Sequence, residues 1–221
     1  MQSFSQAGQD TFVYNILKKK NGFFIDIGAS DFKFINNTFF LEKFMDWKGI
    51  LIERDDFRVP NYEKYRTNSS YIINDATKIN YKNLFEEKNL PINIDYLSID
   101  VEVDDGSTLQ TLKKLDNEVM DKYKFATLTF EHDIYRNNFA DTRIKSREIL
   151  KKRGYIPVFT DVLFKDFGPV EDWYVHPELV DMNYINHLLG KNKKNYIDFT
   201  TNYVDNMGQK INCIPSLKIE Y

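Results

Sequence analysis

Five short apolar runs, each with a carboxylate at or near its end, constrain this chain more than any other feature. They are Phe23 to Gly28, Ile50 to Glu53, Tyr71 to Asp75, Asp95 to Asp100 and Phe125 to Glu131. Each has the length and apolar centre of a buried strand. Stretches with helical spacing lie between them. Ala7 to Lys20 sets Phe12, Val13, Ile16 and Leu17 on one face, and Thr38 to Phe44 reads as a second helix. Phe57 to Arg66 reads as helical after a break at Pro60. A further helix starts at Leu109 to Leu115, and Arg143 to Arg153 stops at Gly154. Tyr155 to Phe159 and Trp173 to Val175 read as late strands, with Pro157 demanding an edge or a bulge. Strands that alternate with helices imply a mostly parallel sheet covered on both faces. Right-handed connections make it a doubly wound, Rossmann-like α/β domain.

The 221 residues suit a single domain spanning 1–221, with residues 1–20 as a helical cover segment and 191–221 as a tail. The tail has three readings: a substrate lid, a homo-oligomer contact or loose chain. The net charge of −3 gives no basic surface for phosphates, so no nucleic acid is expected as a partner. The lone Cys213 excludes an intramolecular disulfide and a cysteine zinc site. The N-terminus has no basic, then apolar, leader pattern. No apolar run approaches the ~18 residues of a transmembrane segment. A cytoplasmic protein is the expectation.

In an open α/β sheet, ligands bind beyond the carboxyl ends of the strands. Those ends carry Asp26 and Gly28, Glu53, Asp75, Asp100 with Glu102 after it, and Glu131 with His132. Glu53, on the neighbouring strand, stands where an acid can accept hydrogen bonds from both ribose hydroxyls. The dinucleotide fingerprint Gly-x-Gly-x-x-Gly is nevertheless absent, because residues 28 to 33 read Gly-Ala-Ser-Asp-Phe-Lys. A single glycine suits a cofactor with a ribose and no phosphates, and S-adenosylmethionine is such a molecule. Its amino-acid end would lie over Gly28, its ribose on Glu53 and its adenine near Asp75 and Ala76.

Several pieces then follow one another in a recognisable order. They are Ser5-Gln-Ala-Gly-Gln-Asp10, Phe24-Ile-Asp-Ile-Gly-Ala-Ser-Asp31, Asn37-Thr38 with Leu41-Glu42, and Trp47-Lys-Gly-Ile-Leu-Ile-Glu53. Asp95-Tyr-Leu-Ser-Ile-Asp-Val-Glu102, Phe130-Glu-His-Asp133 and Glu171-Asp-Trp-Tyr-Val-His-Pro177 complete the set. In these pieces the chain resembles the FkbM family of S-adenosylmethionine-dependent methyltransferases. The resemblance implies a seven-stranded sheet with an antiparallel last strand, and methylation of sugar hydroxyls in the making of surface polysaccharides such as capsule, glycans or antibiotics. It implies a cofactor set of Gln6, Asp26, Gly28, Ala29, Ser30, Asn37, Thr38, Glu53, Arg54, Asp75, Ala76 and Asp100. Two departures fall on the acceptor side. Phe32 stands where the family usually has glycine. Val101-Glu-Val-Asp-Asp105 replaces Val-Glu-Gly-x-Glu, so Val103 takes a glycine's place.

A sugar hydroxyl is a poor nucleophile at neutral pH and needs a base or a divalent ion. Asp100, Glu131 and His132 are the candidates for both roles. Asp100 and Glu131 suit Mg²⁺, and an added imidazole from His132 would admit Mn²⁺. Without metal, His132 is the natural general base, oriented by a carboxylate. Glu102, Tyr135, Arg136, Arg143 and His176 are candidates for the acceptor pocket. Arg136 or Arg143 would hold a phosphate if the acceptor is a nucleotide-linked sugar. The alternatives are a natural-product or other small-molecule methyltransferase, and an inactive cofactor-binding module, which only Phe32 and Val103 support.

Overall fold

The structure is a computed structural model that describes residues 3–136, 139–164, 168–192, 201–204 and 210–213. Its body is a seven-stranded sheet. The strands are β1 (Phe23–Ile27), β2 (Lys48–Glu53), β3 (Ser70–Ile73), β4 (Asn93–Ile99), β5 (Lys124–Glu131), β6 (Ile156–Phe164) and β7 (Gly168–Val175), in the spatial order β3-β2-β1-β4-β5-β7-β6. β1 pairs in parallel with both β2 and β4, and β4 in parallel with β5. β7 runs antiparallel to both β5 and β6. The strand order reverses direction at β1, so a crevice opens between the carboxyl ends of β1 and β4.

The expected antiparallel last strand of the sheet is therefore β7, slotted between β5 and β6. The β6–β7 pairing slips in register between Pro157 and Leu163, which is how a proline is accommodated there.

Helices α1 (Gln9–Leu17), α2 (Phe39–Met45), α3 (Val59–Tyr65), α4 (Tyr81–Glu87), α5 (Ser107–Glu118), α6 (Ala140–Lys152) and α7 (Met182–Asn192) connect and cover the strands. The reading of Phe57 to Arg66 resolves into a short 3₁₀ turn at Asp56–Arg58 and then α3, with Pro60 in the first helical turn, where a missing N–H costs nothing. Most of the predicted tail, 193–200, 205–209 and 214–221, lies outside the described residues. Within it, β8 (Thr201–Val204) and β9 (Lys210–Cys213) form an antiparallel pair.

Alternation along the strands divides the core into two. Ile25, Ile27, Ile50, Ile52, Leu97 and Ile99 pack one face, with Phe85 and Leu112 against them. Phe24, Leu51, Tyr96, Trp47 and Trp173 pack the other, under Phe12 and Val13 of α1. On that second face β1 also carries Asp26, which is buried. An acid in the middle of a central strand is costly unless it is partnered or used. Among the described residues no helix is long and apolar enough to cross a membrane.

Candidate active site

A cleft of about 600 Å³ opens at the carboxyl edge of β1, β2, β3, β4 and β5. This is the size of a small-molecule site. Gly28 forms its floor. Its φ of +87° is left-handed, and a Cβ there would lie 1.7 Å from the Asp100 carbonyl oxygen. Only glycine lets the β1 loop run that close to the end of β4. Gly28 N–H and Ala29 N–H both donate to the Ile52 carbonyl, at 2.9 and 3.1 Å, which keeps the loop in the plane of the sheet.

The next stretch is held from below. Arg66 is fully buried with Glu42, Nε to Oε2 at 2.7 Å, and its Nη2 donates to Thr38 Oγ1 at 2.8 Å. Its Nη1 reaches Asn36 Oδ1 and the Phe32 carbonyl. Asn36 Nδ2 in turn ties the Ala29 and Asp31 carbonyls, at 2.8 and 2.9 Å. Thr38 donates to Asp26 Oδ2 at 2.7 Å. Thr38 is thus a buried support under the cleft rather than part of its wall, because its hydroxyl is spent on Asp26. The Phe32 ring stacks on Tyr65, with centroids 4.4 Å apart, and takes no part in the lining. Val103 is likewise buried.

The cofactor candidates Gln6, Asp26, Gly28, Ala29, Ser30, Asn37, Glu53, Arg54, Asp75, Ala76 and Asp100 all line the cleft. Glu53 Oε2 accepts from Ser30 N–H at 2.7 Å, and Oε1 from Arg54 and Asp55 N–H at 2.7 and 3.0 Å. A carboxylate oxygen has two acceptor positions, so Oε1 is filled by its two N–H donors and Oε2 keeps one position for a ligand hydroxyl. Asp75 caps the turn at Ala76–Lys78. Hydrogen bonds from the Thr77 hydroxyl and N–H hold its carboxyl below the usual range.

The far end of the cleft is chemically different. Asp100 and Glu131 reach it from the ends of adjacent strands and hydrogen-bond to each other. Desolvation by the surrounding protein raises both carboxyls, and for Glu131 the Asp100 charge adds to the rise. Two carboxyls in such contact hold a proton between them. Asp133 also faces the cleft, at φ 46°, and burial pushes its carboxyl up to about 6. Asp26 is pushed up to about 6 by burial, against its bond from Thr38. Behind this group lies Glu171 of β7, directly across the ladder from Glu131, buried and bonded by Gln9 Nε2. Burial, then the Asp100 charge, raises it well above normal. Asn37 Nδ2 donates to Ser98 Oγ at 3.0 Å and, at 3.4 Å, to Asp100, while its buried Oδ1 has no partner.

Several expected residues lie elsewhere. His132 does not join Asp100 and Glu131, because it directly follows Glu131, the last residue of β5, and its side chain points to the opposite face, toward Asp172. Its ring is buried, with Nε2 3.3 Å from Asp172 Oδ1 and 3.7 Å from Asp161 Oδ1. Nδ1 accepts from Ile134 N–H at 3.3 Å. It is therefore neither a cleft base nor part of a metal set with Asp100 and Glu131. Among the described residues, His132, Asp161 and Asp172 are the group whose ligand atoms lie within 4.8 Å of one another. That group is already neutralised by Arg147 and Arg143. Arg147 bonds Asp172 at 2.7 Å and Asp161 at 3.0 Å, and Arg143 bonds Asp161 at 2.9 Å. Burial opposes ionisation of Asp172, but its bonds from His132 and Arg147 prevail and hold it low. Arg143 thus belongs to a structural ion network outside the cleft lining.

His176 lies at the opposite edge of the sheet. Because β7 is antiparallel, its C-terminal end returns to the start of β5, where His176 N–H donates to Ala126. Its ring packs edge-on against Tyr155 at 5.1 Å. Tyr135 stands beside the cleft rather than in its lining, accepting from Arg136 Nε at 2.9 Å. Glu102 and Arg136 do line it. Sequence reasoning passed over Asp133, Arg58 and the exposed Phe34 and Ile35 in the lining, and Glu171 behind it.

No protein-family model and no curated protein matches the chain. Solved structures do. One is a protein assigned as an rRNA methylase from Clostridium thermocellum, 14% identical, with a TM-score of 0.52, covering 79% of this chain and 99% of that one. Another is TrmK of M. capricolum, solved with the natural cofactor product S-adenosylhomocysteine: 14% identity, TM-score 0.51, 80% of this chain and 70% of that one. A third is a protein assigned as a methyltransferase from Streptococcus mutans, also solved with S-adenosylhomocysteine: 14% identity, TM-score 0.51, 79% of this chain and 99% of that one. With its strand order and its antiparallel β7, this chain has the Rossmann-like fold of S-adenosylmethionine-dependent methyltransferases.

Proposed function

We propose that the protein is an S-adenosylmethionine-dependent O-methyltransferase that acts on a sugar hydroxyl, as its resemblance to the FkbM family implies. The observation that carries the reading is the Asp100–Glu131 pair, two mutually bonded carboxyls beside the glycine floor of a methyltransferase-fold cleft. The lining also fits the cofactor. It holds eight carboxylates against three arginines, which favours a ligand carrying a sulfonium and an ammonium. The unpartnered Asn37 Oδ1 calls for a donor such as that ammonium. Glu53 accepts the ribose hydroxyls, Asp75 and Ala76 border the adenine, and Gly28 admits the amino-acid end.

Bound S-adenosylmethionine supplies an electrophilic methyl group whose leaving group is a neutral thioether. The chain must hold the acceptor oxygen and take its proton. The ionised member of the Asp100–Glu131 pair accepts that proton. Its raised pKa makes it a stronger base than an ordinary carboxylate, which is what a sugar hydroxyl needs. Asp100 and Glu131 would also be the residues to hold a divalent ion, which would supply Lewis-acid activation of the acceptor hydroxyl.

The test is transfer of a labelled methyl group to a panel of sugars, with Glu131→Gln beside wild type. Loss of transfer with retained cofactor binding supports the assignment. Full activity of Glu131→Gln refutes it. Activity that survives EDTA marks the pair as a proton acceptor, and loss restored by Mg²⁺ or Mn²⁺ marks it as the residues that hold a metal.

A further inference from the structure

The two ends of the cleft differ in charge, and the difference selects among acceptors. At the end built by β4 and β5, the lining carries Asp100, Glu102, Glu131 and Asp133. Arg136 is the cation that faces them, and it is already engaged. Its Nη1 is 2.8 Å from Asp104 and 3.9 Å from Glu102, and its Nη2 is 3.4 Å from Asp133. Bonds to Tyr135 and Asp104 raise its pKa further, so it stays a cation locked among acids. Arg58 belongs to the other end, against Asp31 and Ser30, and the Arg54 guanidinium lies 3.9 Å from Asp55.

Asn37 turns its amide nitrogen, a donor, to Asp100 at 3.4 Å, and Ser98 Oγ accepts from the same nitrogen at 3.0 Å. The Asp100 end is rich in carboxyl groups, and Arg136, the cation that faces it, is paired with Asp104, Glu102 and Asp133.

We infer that the acceptor site takes an uncharged, hydroxyl-rich glycosyl unit and excludes nucleotide-linked sugars and nucleic-acid backbones. This inference rests on the methyltransferase reading above. A diphosphate beside four carboxylates would have to displace Asp104 and Glu102 from Arg136 and then remain among like charges. A neutral sugar instead exchanges hydroxyl hydrogen bonds with those same carboxyl groups and brings no charge.

The test uses the full chain saturated with S-adenosylhomocysteine, so that the cofactor end is filled. Uridine, guanosine and thymidine diphosphates are titrated by calorimetry at low salt. No binding to wild type is expected, and Asp104→Asn, which releases Arg136, should gain affinity by about tenfold or more. In parallel, labelled methyl transfer is compared between neutral methyl glycosides and the matching nucleotide-linked sugars, with the neutral member favoured by about tenfold or more. Micromolar binding of a diphosphate to wild type, an unchanged Asp104→Asn, or equal transfer to the nucleotide-linked sugar overturns the inference and leaves the methyltransferase reading intact. Failure of S-adenosylhomocysteine to bind at all sinks that reading itself.

Discussion

The two ends of one cleft use the same residue type for opposite purposes. At the β2–β3 end, Glu53 and Asp75 have their oxygens tied to backbone N–H groups and to Thr77. At the β4–β5 end, Asp100, Glu131 and Asp133 are crowded together and desolvated, and their carboxyls are raised. Hydrogen bonds to an ionised acid keep it an acceptor, whereas burial beside another acid makes it a base. On the proposed reading the first arrangement grips a ribose and an adenine, and the second moves a proton. Position in the fold, not residue identity, separates binding from chemistry.

The comparison breaks most severely at Gly28, which both ends share. Gly28→Ala sets a methyl group 1.7 Å from the Asp100 carbonyl. It should abolish cofactor binding and lower thermal stability together, which calorimetry and a melt will read. Glu131→Gln attacks the proton-handling end alone. It should cut kcat by about 10²–10⁴ while the cofactor Kd stays near wild type. Glu53→Ala attacks the binding end alone. Losing charge-assisted bonds worth about 1.5–3 kcal/mol should weaken the cofactor by roughly 10–100-fold and spare kcat at saturation. If these two variants show the same kinetic signature, the division between the ends is false.

Asp26 sharpens the comparison through stability. Its carboxyl is held at about 6 in the fold, against 3.8 for an unburied group. The folded chain therefore keeps that proton longer than the unfolded one. The stabilisation is whole below pH about 4 and is lost as pH rises through about 6. Asp26→Asn should flatten that decline and raise the stability of the cofactor-free protein at pH 7.5 by on the order of 2 kcal/mol. It should also weaken binding of the cationic cofactor. Melts from pH 4 to 8 read the first effect and calorimetry the second. The smallest effect is expected at His176, at the wrong edge of the sheet: His176→Gln should leave kcat/KM within about twofold of wild type.

Strand ends were the legible part of this sequence. An apolar run that stops at an acid marks the carboxyl edge of a parallel sheet, so Asp26, Glu53, Asp75, Asp100 and Glu131 meet at one cleft. What a strand end does not announce is direction. Alternation, applied one residue past Glu131, puts His132 behind the cleft, whereas Asp133 returns to it through a left-handed turn that alternation does not predict. His176 failed for a topological reason, since only the pairing of β7 with β5 reveals that it runs backwards. The same reversal carries Glu171 to the edge where the acids gather. Helices α4 and α7 went unread because Tyr81–Glu87 is short and the α7 pattern merges into a polar tail. The buried Arg66–Glu42 pair joins residues on separate elements, which no local spacing predicts.

The most direct test of the central claim is titration calorimetry with S-adenosylmethionine, with NAD as the control. The account predicts saturable binding of S-adenosylmethionine that is about tenfold or more weaker in Glu53→Ala, and no binding of NAD. No heat with S-adenosylmethionine, or equal binding of NAD, would contradict it.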